Sequence, residues 1–284
     1  MRIRFPDFIC VGAQKCGTTW LYENLISHPG IGMPPVKELQ YFNEIWLPYQ
    51  RDWAQGHRRK QVLDHLEWYL KNVPRSDWNA GHINNVMQIS EAPICDDWYG
   101  RIFGEFPDDI VLGEMTPEYA LLPLMGYQHI LRLNKNAKFI FLVRDPIERA
   151  WSQIKMIVRN EGREPSIDTY LDILKYDDIR MRSDYYETIN TIRQAGVETN
   201  LYVNTIDAII AEPQRTLQEI CQFIGVPFEK IDLSRAKDIV HAGIPGPIPP
   251  ELIQPMWEQL AVCYNRFENF APEQAQQWRE RPRS

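Results

Sequence analysis

With 284 residues the chain is long enough to bury a sizeable core, and its 44% hydrophobic and 24% charged residues exclude a disordered protein. Its 31 basic and 38 acidic side chains leave a net charge of −7. That balance excludes a general coat for duplex nucleic acid or an anionic membrane, since counterion release needs a broad basic face. The five cysteines, at 10, 16, 95, 221 and 263, form no Cys-x-x-Cys pair. Neither a zinc ribbon nor a disulfide framework is expected, and dispersed thiols fit a reducing compartment. The apolar run in MRIRFPDFICVGAQK is too short for a secretory core segment. No stretch approaches the roughly 18 apolar residues of a membrane span, so a soluble, cytoplasmic protein is expected.

In chain order, the first element is a short apolar run at Phe8–Val11, which reads as a buried parallel strand. A turn from Gly12 to Gly17 follows, then a helix at Thr18–Ser27 with Trp20, Leu21 and Leu25 on one side. Gly12 and Gly17 keep the glycine spacing of a phosphate-binding P-loop, and Thr19 keeps its hydroxyl. Thr18 stands where the P-loop lysine belongs; the loop's lysine is Lys15. Backbone N–H groups and the helix dipole still converge on one point there, so the turn is expected to cradle an anion. The plainer alternative is a tight strand-to-helix turn with an exposed lysine.

Residues 45–105 differ in texture, holding five of the nine tryptophans and the cluster Arg58, Arg59, Lys60. This stretch reads as mostly helical material laid over the sheet's ligand-binding edge, or as an insertion that packs on one sheet face. Further buried strands are expected at Ile110–Leu112, Phe139–Val143 and Leu201–Val203. Helices are expected at Ile147–Val158, at Pro213–Ile224 ending on Gly225, and from Glu251 to about Phe267. Proline and glycine in 241–250 force a loop. Strands alternating with helices give an α/β fold: a P-loop-like parallel β-sheet flanked by helices, one domain over 1–284 with a helical insertion at 45–105.

The strand at 139–143 runs into Arg144-Asp145-Pro146. Asp145 is a natural N-cap, Pro146 suits the first helical position and Glu148 falls at the capping-box position. Arg144 is thereby held at the sheet's carboxyl edge, where open α/β sheets bind ligands, and its planar fork suits a phosphate. Ser152, seven residues after the cap, returns to the same side of the helix. An arginine at that strand end argues for a phosphate there rather than a magnesium ion. Each residue has a plainer reading, a capping salt bridge for Arg144 and a small packing residue for Ser152.

Gln14-Lys15-Cys16-Gly17-Thr18-Thr19-Trp20-Leu21 and Arg144-Asp145-Pro146-Ile147-Glu148-Arg149-Ala150-Trp151-Ser152 together resemble the two fingerprints of the sulfotransferases that use 3′-phosphoadenosine 5′-phosphosulfate. Gly113–Tyr119 and Pro213–Pro227 resemble further stretches of that family. The resemblance implies that Lys15, Cys16, Gly17, Thr18, Thr19 and Trp20 form the 5′-phosphosulfate site. It implies that Arg144 and Ser152 hold the 3′-phosphate, with no metal ion. Pro35-Val36-Lys37-Glu38-Leu39-Gln40-Tyr41-Phe42 resembles the element that carries the catalytic base in the family's heparan-type and bacterial branch. Glu38 would then take the acceptor's proton while Lys15 neutralises the leaving oxygen.

A carboxylate partly buried near two anions is expected to have a raised pKa. Two departures stand out: Met115 occupies a position that is lysine in the heparan-type branch, and His241–Pro245 matches the family's C-terminal basic loop only vaguely. His28, His57, His65, His82, His129 and His241 read as surface or packing residues. Cys16, after Lys15 and at a helix N-terminus, is expected to be the most reactive thiol. The implied activity is sulfuryl transfer to a hydroxyl or amine of a carbohydrate or small molecule. The rival readings are a P-loop phosphotransferase using Mg²⁺ near Asp145 and a non-catalytic anion-binding module.

Overall fold

The computed structural model describes residues 2–236 and 246–283. A five-stranded, wholly parallel sheet runs through the centre: β1 (Phe8–Gly12), β2 (Ile31–Gly32), β3 (Val111–Met115), β4 (Lys138–Val143) and β5 (Leu201–Thr205), in the order β2-β3-β1-β4-β5. The sequence expects four of these strands. The two-residue β2 is too short to leave a periodic trace. β3 runs three residues beyond the expected Ile110–Leu112, through Gly113 and Glu114. A glutamate survives inside a buried strand because three hydroxyls donate to it: Tyr99, Thr116 at 2.8 Å and Tyr119 at 2.8 Å.

Helices cover both faces of the sheet. The first part of the chain supplies α1 (Thr18–Leu25), α2 (Tyr41–Trp46), α3 (Arg51–Asn72), α4 (Ala80–Ile89), α5 (Asp96–Gly104) and α6 (Leu124–Leu133). After β4 come α7 (Pro146–Glu161), α8 (Ile167–Leu174), α9 (Asp177–Met181) and α10 (Tyr185–Gln194). The C-terminal part adds α11 (Ile206–Ala211), α12 (Pro213–Ile224), α13 (Pro250–Phe267) and α14 (Pro272–Glu280). The expected helices correspond to α1, α7, α12 and α13; α6, α8, α9, α10, α11 and α14 were not among the sequence expectations. The 45–105 stretch is helical, as α3 to α5. The expected loop at 241–250 lies partly outside the described residues, and Gly246–Pro249 is irregular chain leading into α13. No helix among the described residues is long and apolar enough to cross a membrane.

Two contacts place the insertion. Buried Arg58 of α3 pairs with Glu44 of α2 at 2.8 Å and donates to the Leu39 carbonyl at 3.2 Å. The hydroxyl of Tyr119 accepts from the Tyr41 backbone N–H at 3.0 Å. Together they fasten α2, α3 and the loop before them to the carboxyl ends of β1 and β3.

Candidate active site

The turn after β1 begins at Gly12, whose φ is +150°; a Cβ there would meet the Pro117 carbonyl at 2.9 Å. Gly17, at φ 89°, caps α1 in the left-handed region. Between them Lys15 also adopts positive φ, at 70°, and its side chain is half-buried. Burial pushes the Lys15 ammonium below its ordinary pKa, and the nearby charges of Arg159 and Arg144 push the same way. Cations crowded closely enough to disfavour one another's charge make a site whose chemistry suits a multiply charged anion.

At the carboxyl edge of β4, Asp145 caps α7, accepting from the Ile147 and Glu148 N–H groups at 3.0 and 3.3 Å. Its carboxylate also takes the Tyr264 hydroxyl and the Arg283 guanidinium, each at 2.7 Å. With both oxygens engaged, Asp145 is a structural clamp and a poor magnesium ligand, which removes the chief support for a P-loop phosphotransferase. Arg144 points to the cavity and pairs with Glu148 at 3.1 Å, while its carbonyl accepts from the Tyr185 hydroxyl at 2.7 Å. Arg149 is fully buried and donates to Ser183, Gln153 and the Ile179 carbonyl, so it ties α7 to α9.

Lys15, Gly17, Thr18, Thr19, Trp20, Glu38, Arg144 and Ser152 line one cavity of about 1040 Å³. The sequence singled out all eight. Cys16 stands apart from them: its side chain is fully buried, with Sγ 3.9 Å from the Tyr185 hydroxyl. Burial raises its thiol pKa to about 11, against the opposing pull of Arg149, Arg144, the Tyr185 hydroxyl and Lys15. The expected reactivity of Cys16 is therefore corrected: desolvation outweighs the loop's positive charge, and among the five cysteines Cys95 is the exposed one. Cys16 contributes backbone alone to the turn, its N–H donating to the Ala13 carbonyl at 3.2 Å.

Glu38 is held by its backbone, donating to the Met115 carbonyl at 3.0 Å, and sits at φ 60°. Its carboxylate meets His57 Nε2 of α3 at 2.8 Å. Burial alone would raise the Glu38 pKa, but the hydrogen bond and charge of His57, with Lys37 and Lys15, outweigh it and hold the group below its ordinary value. The expectation of a raised pKa is thus reversed. Burial works against the His57 cation too, yet the hydrogen bond and charge of Glu38, with Glu118, raise its pKa overall, so each member of the pair favours the charged form of the other. The reading of His57 as a packing residue is corrected with it.

Met115 is buried at the strand end, and the cations that reach Glu38 are His57, Lys37 and Lys15. Lys37 itself donates to the Thr19 hydroxyl at 2.9 Å, linking the base loop to α1.

The other described histidines keep the packing role expected of them. His28 accepts from Gly30 N–H at 2.9 Å and bonds the Pro227 carbonyl at 2.8 Å. His129 accepts from Trp46 and bonds Asp96 at 2.7 Å, and His65 and His82 pair with each other at 3.1 Å. His241 lies outside the described residues.

The sequence reading left several cavity residues out. Lys155 and Arg159 follow Ser152 by three and seven positions on α7, a helical spacing that could have revealed them. Trp53, His57 and Gln61 recur every fourth residue on α3 in the same way. Asp178 and Arg182, four residues apart around α9, line the cavity too, as does Glu118, which carries no such signal.

Comparison with known proteins agrees with this geometry. Residues 6–230 match the model of the sulfotransferase family. The membrane-associated sulfotransferase kil1 of Dictyostelium discoideum is 30% identical over 161 residues, covering 55% of this chain and 25% of that protein. Heparan sulfate glucosamine 3-O-sulfotransferase 5 of Mus musculus is 23% identical over 241 residues, covering 79% and 54%. The chain thus spans between a quarter and about half of the length of these relatives. Among solved structures, a sulfotransferase from Alicyclobacillus acidocaldarius superposes with a TM-score of 0.67 at 19% identity, over 98% of this chain and 100% of that one. The sulfotransferase domain of the Synechococcus olefin synthase gives 0.56 at 19% identity, over 95% and 96%. At such identities the likeness is one of fold.

Proposed function

The chain belongs to the sulfotransferase family, and from that premise we propose that it moves a sulfuryl group from 3′-phosphoadenosine 5′-phosphosulfate to a hydroxyl or amine of a carbohydrate or small molecule, releasing 3′,5′-ADP. The observation that carries the reading is that Lys15, Arg144 and Glu38, the cations for two phosphates and a base, open onto one cavity.

The donor supplies an activated sulfur–oxygen bond. The acceptor oxygen or nitrogen bonds to sulfur as the bond from sulfur to the 5′-phosphate oxygen breaks, and the electron pair stays on that oxygen. Lys15 and the N–H groups around Gly17–Thr19 neutralise the charge that develops there. Arg144 and Ser152 hold the 3′-phosphate, with Lys155 and Arg159 on the same helix adding positive potential. Glu38 accepts the acceptor's proton. His57 keeps that carboxylate ionised and turned into the cavity.

The described helices over 41–104 act in this reading as the cap of a single catalytic domain that spans 1–284. A cytoplasmic setting is supported by the five unpaired cysteines.

Two measurements test the proposal together. 3′,5′-ADP is expected to raise the melting temperature without a divalent ion, since a ligand that binds the native state stabilises it. Labelled donor is expected to pass its sulfuryl group to an acceptor from a mixed panel. Stabilisation by ATP–Mg²⁺ alone returns the phosphotransferase; stabilisation by 3′,5′-ADP with no transfer to any acceptor leaves an anion-binding module.

A further inference from the structure

The end of the cavity around Glu38 carries information about the acceptor. Its wall is the face of α3 that presents Trp53, His57 and Gln61, closed opposite by Glu118, Asp178 and Arg182. The described cations there are already engaged. His57 faces Glu38 at 2.8 Å, and Arg182 is shared between Asp178 and Glu118, the latter at 3.4 Å. Arg59 and Lys60 of α3 lie off the cavity wall, and Lys60 pairs with Asp64 at 2.5 Å. With Lys37, which donates to the Thr19 hydroxyl at 2.9 Å, the three described cations match the three carboxylates, so this end carries paired charge with no surplus of cations, unlike the end around Arg144.

What remains available is uncharged contact. Trp53 is 45% exposed and lies stacked on His57, with ring centroids 4.9 Å apart at 23°. Gln14, Asp178 and Arg182 also line the cavity, and the Arg182 side chain is only 10% exposed. The Gln14 and Gln61 amides on the same wall suit hydroxyls. An anionic substituent would face Glu118 and Asp178, where the described cations, His57, Lys37 and Arg182, are already engaged.

Resting on the transferase reading above, we propose that the acceptor is an uncharged, hydroxyl-bearing ring that stacks on Trp53 and presents one hydroxyl to Glu38, and that a polyanionic chain is excluded. A phenol and a neutral sugar share this chemistry, an apolar face edged by hydroxyls.

The test compares initial rates with labelled donor on 2-naphthol, cellobiose and heparan sulfate, at low salt and at physiological salt. One of the two uncharged acceptors is expected to exceed heparan sulfate at least tenfold in kcat/KM, with little salt dependence, and which of the two does so identifies the source. Trp53→Ala is expected to raise the KM for that acceptor about tenfold while leaving the melting shift from 3′,5′-ADP unchanged. Asp178→Asn, which frees one side of Arg182, is expected to improve use of a carboxylated naphthol relative to 2-naphthol severalfold. A salt-sensitive preference for heparan sulfate overturns the assignment, as does an unchanged KM in Trp53→Ala. If 3′,5′-ADP fails to stabilise the wild-type protein, the transferase reading itself has failed; if it stabilises and heparan sulfate is preferred, only the acceptor class has.

Discussion

At one end of the cavity the charged groups follow directly from strand ends, Lys15 after β1 and Arg144 after β4; at the other, Glu38 comes from an irregular loop, His57 from a helix further along, and Glu118, Asp178 and Arg182 from segments distant in sequence. The first end is cationic and built from strand ends; the second is aromatic, carries paired charges and is assembled from loop and helix residues. A parallel sheet dictates where anions bind, because every strand delivers its loop to the same edge. It dictates nothing about the second substrate, which is met by whatever the insertion lays across that edge.

The largest expected effect separates the two ends. Glu38→Gln preserves the size of the side chain and removes its basicity, so turnover is expected to fall about 10²–10⁴-fold with the 3′,5′-ADP melting shift intact. A lost melting shift would mean that the two ends are not independent. Lys15→Ala and Arg144→Ala are expected to act oppositely, each weakening 3′,5′-ADP binding about 10–100-fold, the worth of one charge-assisted hydrogen bond. Equal affinity in either variant would remove that residue from the cationic end.

His57→Asn sharpens the comparison from the Glu38 end. Without the imidazolium, burial dominates and the Glu38 pKa rises, so the acid limb of kcat/KM is expected to move to higher pH, with a proportionally greater loss at pH 5 than at pH 8. A loss that is the same at every pH would make His57 a purely structural neighbour.

Glu114 gives a smaller effect, on stability. Burial, partly opposed by hydrogen bonds from Tyr99, Thr116 and Tyr119, raises its carboxyl pKa to about 7. The folded state then binds a proton that the unfolded chain has released above about pH 4.5. Its contribution is fully present below that pH and lost as pH rises through 7. Glu114→Gln is therefore expected to flatten the fall in stability between pH 5 and 7.5, read by urea unfolding, whatever it does to the absolute value. The smallest effect is chemical: brief iodoacetamide treatment of the ligand-free protein is expected to label Cys95 and leave Cys16 unmodified.

The sequence carried Lys15 and Arg144 of the cationic end, and not Lys155 and Arg159. Glycine spacing, an N-cap and a strand-end arginine are local features whose chemistry does not depend on distant residues. The sheet was legible for the same reason, apart from β2, which has only two residues. Glu38 was found by its resemblance, yet its protonation was not, because its partner His57 lies 19 positions away on a helix whose docking depends on buried Arg58. Cys16 failed differently. Its neighbours in sequence argue for a thiolate, but the direction of its side chain, inward under α1 toward Tyr185, is set by packing. Glu118 sat in plain view within the Gly113–Tyr119 stretch, and nothing local marks it as a cavity residue.

Among the described residues, three other than glycine take positive φ: Lys15 at 70°, Glu38 at 60° and Gln40 at 56°. Lys15 and Glu38 line the candidate site and Gln40 follows Glu38 by two residues, and each left-handed residue with a side chain costs roughly 1–2 kcal/mol. Glycine would relax the backbone at every one of them. At Glu38 and Gln40 it would also remove the ion pair to His57 and the hydrogen bond from Asn43, so a selection for heat resistance alone would drift first toward Lys15→Gly. A screen that rewards both properties would have to find its gains elsewhere in the chain.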